Sequence, residues 1–141
     1  TPEGEMLPPA GTDSSDVVDF DYGQLGLRNY MTGSLVYWVR EFDVDGYRAD
    51  VAGYVPLDFW ETARAELEEI KPVFMLAEWE TRDLHARAFN ATYAWGWKEA
   101  MQKLVAEGSG AGALRGYYAG QKTTWPHAAY RMNYTDNHDQ K

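Results

Sequence analysis

The sequence predicts an α/β fold built on a parallel sheet, and three observations predict it. Short strand-like runs alternate with amphipathic helical stretches. Val73-Phe74-Met75-Leu76-Ala77 is an unbroken apolar run of five, the mark of a strand covered on both faces. Acids stand directly at the ends of two strand candidates, Asp50 and Glu78, and parallel α/β folds build their sites at the C-terminal ends of strands.

Taken in order, residues 1 to about 18 are rich in Pro, Gly, Ser and Asp (Pro8, Pro9, Gly11, then Thr12-Asp13-Ser14-Ser15-Asp16) and read as irregular loop. From Leu25 to Phe42 the apolar residues Leu27, Tyr30, Met31, Leu35, Trp38 and Phe42 recur at steps of three and four, which predicts a helix. Val44 to Asp50 is a strand candidate. Asp58 has the place of an N-cap with Glu61 three positions on, a capping-box spacing. The helix that follows carries Ala63, Leu67 and Ile70 on one face and must stop before Pro72. After the run 73–77, a strand near Phe89 to Tyr93, a helix through Trp97, Met101, Leu104 and Val105 closed by Gly108-Ser109-Gly110, a helical stretch near Ala113 to Gly120 and a strand near Tyr130 to Tyr134 complete the pattern. Periodicity leaves a doubly wound sheet and a (β/α)8 barrel both open.

Composition excludes several classes. The chain has 141 residues, one domain's worth, with 45% hydrophobic and 25% charged residues. No run approaches 18 apolar residues, so no membrane span is expected. Thr1-Pro2-Glu3-Gly4-Glu5 has no signal-peptide character. It also lacks an initiator Met, which reads as a sequence cut from something longer. A net charge of −9 with no basic stripe argues against nucleic acid and anionic lipid as partners. The absence of Cys excludes disulfides, Cys–zinc sites and thiol catalysis, and it leaves the compartment open. Six Trp and ten Tyr fit either a large core or a groove that stacks on sugar rings.

The carboxylates carry the chemistry. Alternation along a strand puts Gly46, Arg48 and Asp50 on one face, so a permanent cation lies beside Asp50 and holds it ionised and oriented. Glu78 follows an apolar strand and precedes Trp79, surroundings that favour a protonated carboxyl. One acid kept ionised and one kept protonated suit glycoside hydrolysis. A third candidate site, Asp136-Asn137-His138-Asp139, lies just past the last strand. A buried Arg48–Asp50 ion pair and helix-capping acids are the structural alternatives. His85 with His138 and Asp139 fits no metal motif and reads as a surface histidine.

Three of these stretches resemble three of the four signature regions of the alpha-amylase superfamily, glycoside hydrolase family 13. Asp45-Gly46-Tyr47-Arg48-Ala49-Asp50 is similar to the second region, Leu76-Ala77-Glu78-Trp79 to the third, and Tyr134-Thr135-Asp136-Asn137-His138-Asp139 to the fourth. They occur in the family's order, 28 (78 − 50) and 61 (139 − 78) residues apart. Asp19-Phe20-Asp21-Tyr22-Gly23 and its helix resemble the segment that precedes the second region.

The resemblance implies an α/β fold that is a partial (β/α)8 TIM barrel, strands four to seven with their helices. The whole chain, 1–141, is then a fragment of the catalytic barrel domain, with 1–24 as a loop leading in. The first signature region is absent, and a complete barrel needs roughly 250 residues. An open half-barrel with two raw edges, inactive and poorly folded alone, is therefore expected.

The resemblance further implies a retaining enzyme on alpha-1,4-linked glucans such as starch and maltodextrins, with transglycosylation open; a non-catalytic amylase-like binding module is the alternative. Asp50 would be the nucleophile, Glu78 the acid/base and Asp139 the transition-state stabiliser. Arg48, His138, Trp79 and Tyr22 would meet substrate, with Asn137 as structural support, although core packing competes for Trp79 and Tyr22. The chemistry would need no cofactor or metal. Many relatives carry Lys-His three and four positions after the nucleophile, where Gly53 and Tyr54 stand here. That departure touches sugar contacts there and any calcium site of a full-length enzyme that would rely on this segment.

Overall fold

A computed structural model of the chain describes residues 5–12, 17–108 and 110–139. The loop reading of Asp13–Asp16 and the Ser109 of the predicted helix stop lie outside the described residues. Residues 5–12 and 17–24 contain no helix or strand, in keeping with a loop leading in.

Helix α1 (Leu25–Phe42) has the predicted bounds. It ends because Asp43 turns left-handed, at φ 54°, and returns its N–H to Val39 O. The predicted strand from Val44 is shorter, with β1 spanning Gly46–Ala49. Lys71 Nζ holds the Asp43 and Asp45 carboxylates at 2.6 and 2.8 Å, and Asp45 O accepts the Phe74 N–H at 2.8 Å where β1 begins. Helix α2 (Leu57–Glu68) starts one residue before Asp58, with Pro56 at its cap. The capping box does not form, because Arg28 takes the Asp58 carboxylate in a two-pronged pair at 2.8 and 3.3 Å. Strand β2 is Phe74–Ala77, β3 Ala91–Tyr93, and β4 Tyr130–Met132. Helices α3 (Trp95–Ala106) and α4 (Gly112–Thr124) separate the last two strands and pack on each other.

All three strand pairings are parallel and the strand order is β1-β2-β3-β4. Consecutive parallel neighbours are what a segment of a (β/α) barrel wall requires. This is α/β architecture with β1 and β4 as edges. One crossover departs from the expected alternation: residues 78–90, between β2 and β3, hold only a 3-10 turn at Asp83–His85. Leu84, Ala88 and Phe89 from that connection are buried and fill the place of a helix, with Phe89 edge-on to Trp60 at 5.3 Å.

The core lies on the helix side of the sheet, where Met75, Ala77 and Ala49 meet Phe59, Ala63 and Leu67 of α2 and Val39 of α1. The opposite face is open. Phe74 is half exposed, so β2 is not covered on both faces as its composition predicted. Arg48, Leu76 and Ala91 share a register level, and alternation sends them, with Glu78 and Tyr93, to that open face.

Gly46 is required where β1 begins. Its φ is +150°, and a Cβ there would sit 1.8 Å from Phe74 O. Gly46→Ala is expected to cost about 2–4 kcal/mol in denaturant unfolding of the full-length protein, from strand displacement and backbone strain. An unchanged midpoint would contradict this register.

Candidate active site

Asp50 follows β1 and Glu78 follows β2, with Glu78 N–H donating to Ala49 O at 2.9 Å as a continuation of the ladder. The adjacent strand ends therefore carry the two acids side by side. Arg48 joins them: its Nη1 donates to Asp50 Oδ1 at 2.5 Å, and its Nη2 forms an ion pair with Glu78 Oε1 at 2.9 Å. Its Nε donates to the Tyr93 hydroxyl oxygen at 3.1 Å. The guanidinium is held above its ordinary pKa, first by that Tyr93 bond and then by Asp50 and Glu78, against the cost of burial. A planar fork with all three nitrogens engaged has a defined orientation.

The two acids have different settings. Asp50 is 65% exposed, so its pair with Arg48 is not the buried ion pair of the structural alternative. Glu78 is buried, at 9% exposure. Its surroundings differ from the apolar wall predicted. Oε2 accepts the Val51 N–H at 2.9 Å, and Oε1 faces Arg48. Val51 itself is left-handed, at φ 38° and ψ 45°. That conformation is costly for a β-branched residue and is tolerated chiefly where surrounding structure demands it. Here it aims the N–H at Glu78.

Trp79 does not offer a free stacking face. Its ring packs on Tyr54 at 5.2 Å and Trp95 at 5.9 Å, and it lies against Gly53. A Cβ on Gly53 would meet the Trp79 ring at 1.9–2.3 Å, so the Gly that replaces Lys makes room for this indole. Tyr22 is likewise withdrawn. It is 7% exposed, 4.8 Å from the Phe59 ring, and its hydroxyl pKa is raised by burial. Both aromatics serve packing because the loops that carry them fold down onto α2 and its neighbours.

Past β4, Asn137 brackets Asp139, with Nδ2 3.4 Å from Oδ2 and Oδ1 accepting the Asp139 N–H at 3.2 Å. His138 Nε2 lies 3.2 Å from Asp139 Oδ1, and its side chain is 73% exposed. Asp139 bonds to neither Asp50 nor Glu78. The link is Tyr134, whose hydroxyl pKa is raised by burial and then by Tyr93, Glu80, Glu78 and Asp139. The Tyr134 ring stands 5.3 Å from Tyr93. All three acids follow the C-terminal ends of parallel strands, Asp50 after β1, Glu78 after β2 and Asp139 after β4.

Several residues here carry no local sequence signal. Tyr93, Val51, Tyr134 and the Glu80–Arg131 pair all act across gaps of tens of residues. Arg131 reaches Glu80, Thr92 and the Tyr93 carbonyl, the last at 2.9 Å, and its guanidinium stacks 3.5 Å over Trp125. His85 belongs to this second network and is not a surface residue: it is half-buried, with Nε2 2.9 Å from Thr92 Oγ1 and its ring edge-on to Trp125. It lies on the helix face, away from His138. A groove of about 820 Å³ on that side, lined in part by Arg64, Glu68, His85 and Asn90, touches none of the three acids.

No family model matches the chain. Solved structures do. A noncanonic maltogenic alpha-amylase from Thermotoga neapolitana is 38% identical, with a TM-score of 0.80, over 89% of this chain and 30% of that one. An alpha-amylase from Lactobacillus plantarum is 30% identical, with a TM-score of 0.84, over 99% of this chain and 36% of its own. The chain belongs to the alpha-amylase superfamily. An intracellular maltogenic amylase from Bacillus subtilis is 35% identical over 85 residues, 57% of this amylase segment and 14% of that enzyme. The segment thus spans about a seventh of that curated relative and a third of the solved neighbours, and its sheet is part of their barrel.

Burial, and then the charge of Arg131, hold His85 below its ordinary pKa of 6.5. The folded state prefers the neutral ring, so the unfolded chain binds more protons near and below pH 6.5. The stability His85 contributes is complete above that pH and is lost as pH falls toward the folded pKa. In the full-length protein, the thermal midpoint should fall from about pH 7.5 to 5, and less steeply in His85→Asn. Equal slopes would refute the assignment.

Proposed function

We propose that the full-length protein is a retaining glycoside hydrolase acting on alpha-1,4-linked glucans, with transglycosylation accompanying hydrolysis. The observation that carries this is the single Arg48 guanidinium hydrogen-bonded to Asp50 and ion-paired with Glu78. It sets two carboxyl groups side by side on an open face, as a double-displacement mechanism requires of groups about 5–5.5 Å apart. Relatives named maltogenic amylase, cyclomaltodextrinase and 1,4-alpha-glucan branching enzyme support the substrate class and the capacity for transfer.

In this reading Asp50 attacks the anomeric carbon while Glu78 gives its proton to the leaving glycosidic oxygen. Glu78 exchanges its hold on Arg48 for that oxygen when substrate arrives. Water, or a second sugar hydroxyl in transfer, then loses its proton to Glu78 and breaks the glycosyl ester, so configuration is retained. Asp139, with His138 beside it and Asn137 behind, binds sugar hydroxyls as positive charge develops at the anomeric centre. Arg48 orients Asp50. In this reading the chemistry runs on these side chains and calls for no cofactor. A metal-dependent hydrolase would instead lose activity to a chelator and regain it with zinc.

The segment alone is expected to be inactive, since its sheet ends in two edges and its acids face an uncovered side. In the full-length protein, Asp50→Asn and Glu78→Gln should each lower kcat on maltooligosaccharides by roughly 10⁴-fold. Proton NMR of the wild-type reaction should show the α-anomer released first. Full activity in Asp50→Asn would remove the nucleophile, and a binding module would show no hydrolysis to lose.

A further inference from the structure

We propose that Tyr93 is a positioning residue that sets the Arg48 fork between the two acids; this rests on the reading of Asp50 and Glu78 given above. Asp50 is the acid most in need of such control. Among the described residues, the bond from Arg48 Nη1 is the only one made to its carboxylate, and the side chain is 65% exposed. Glu78 is better secured, because the Val51 N–H holds it independently of Arg48. The direction from which Asp50 meets a sugar is therefore the direction of one guanidinium.

That guanidinium has a long, flexible stem and is itself a third exposed. What fixes it is Nε. A guanidinium is planar, so holding Nε–H on one acceptor sets the plane and the directions of both terminal nitrogens. The acceptor is the Tyr93 hydroxyl oxygen at 3.1 Å, and the Arg48 carbon lies 5.7 Å from the ring centroid of the same tyrosine.

Tyr93 can serve as a fixed post because it is anchored along its length. It is 5% exposed. Its carbonyl accepts from Arg131 Nη2 at 2.9 Å, and Arg131 is clamped by Glu80 and stacked on Trp125. Its ring is flanked by Tyr134 at 5.3 Å and Trp95 at 6.5 Å. The chain of contacts runs from Arg131 through the backbone and ring of Tyr93 to Arg48, and from there to Asp50.

The test is steady-state kinetics of the full-length protein with Tyr93→Phe, Arg48→Lys and the double variant, beside wild type and Asp50→Asn. Tyr93→Phe keeps the ring and removes only the acceptor. The expected result is a kcat about ten-fold lower with KM within about two-fold, since misaiming a reacting group costs rate more than binding. The loss should persist on an aryl maltoside with a good leaving group, because that substrate needs no acid and still needs the nucleophile. Arg48→Lys has no Nε–H to hold, so the double variant should be no slower than Arg48→Lys alone.

A wild-type kcat in Tyr93→Phe, or a fall in thermal midpoint with kcat unchanged, would overturn the proposal. So would additive losses in the double variant. If Tyr93→Phe fails to fold, Arg48→Lys must show the same kcat loss at retained KM, and wild-type turnover there would overturn it too. An inactive wild type, or an active Asp50→Asn, would instead sink the assignment of the acids.

Discussion

The site hangs on one guanidinium placed between two carboxyl groups. Arg48 Nη1 and Nη2 reach Asp50 and Glu78 from one planar group, which fixes the two carboxyl groups relative to each other. The fork requires β1 and β2 to be adjacent, parallel and in the register that sets Arg48 opposite Leu76. That register depends in turn on Gly46, the residue that lets β1 start against Phe74 O. A shift by one residue would turn Arg48 to the helix side and leave the acids unpaired.

Around this centre the polypeptide divides its labour between two faces. The helix side is packed with Phe59, Leu67, Met75 and their neighbours, and supplies the burial that holds the sheet in shape. The open side carries Arg48, Glu78 and Tyr93, polar groups that a dry core would not accept without partners. The aromatics divide in the same way. Tyr22 and Trp79 turn toward the packed side, while Tyr93 and Tyr134 stand among the charges.

A second polar network supports the first. Arg131, Glu80, Thr92 and His85 lie behind β3, tied to Trp125 at the end of α4. Thr92 is fully buried yet partnered by both His85 and Arg131, as a polar group in a core must be. This network joins β3, β4 and the loop after β2 where the 78–90 connection has no helix to do so. Its Thr92 is the neighbour of Tyr93 in β3, and Arg131 also holds the Tyr93 carbonyl.

What the sequence determined by itself was local. The steps of three and four in 25–42, the apolar run 73–77 and the acids just beyond it follow from side-chain periodicity and need no partner to be read. Local signals also misled: Asp58 had the spacing of a cap, but Arg28, 30 residues upstream, claimed its carboxylate. The tertiary structure alone decided which groups meet. Tyr93 and Arg48 are 45 residues apart, Arg131 and Glu80 are 51 apart, and the burial of Tyr22 and His85 depends on elements far from them in the chain. Periodicity reports which way a side chain faces along its own element. Only the parallel register and the packing of helices on the sheet specify what stands opposite it.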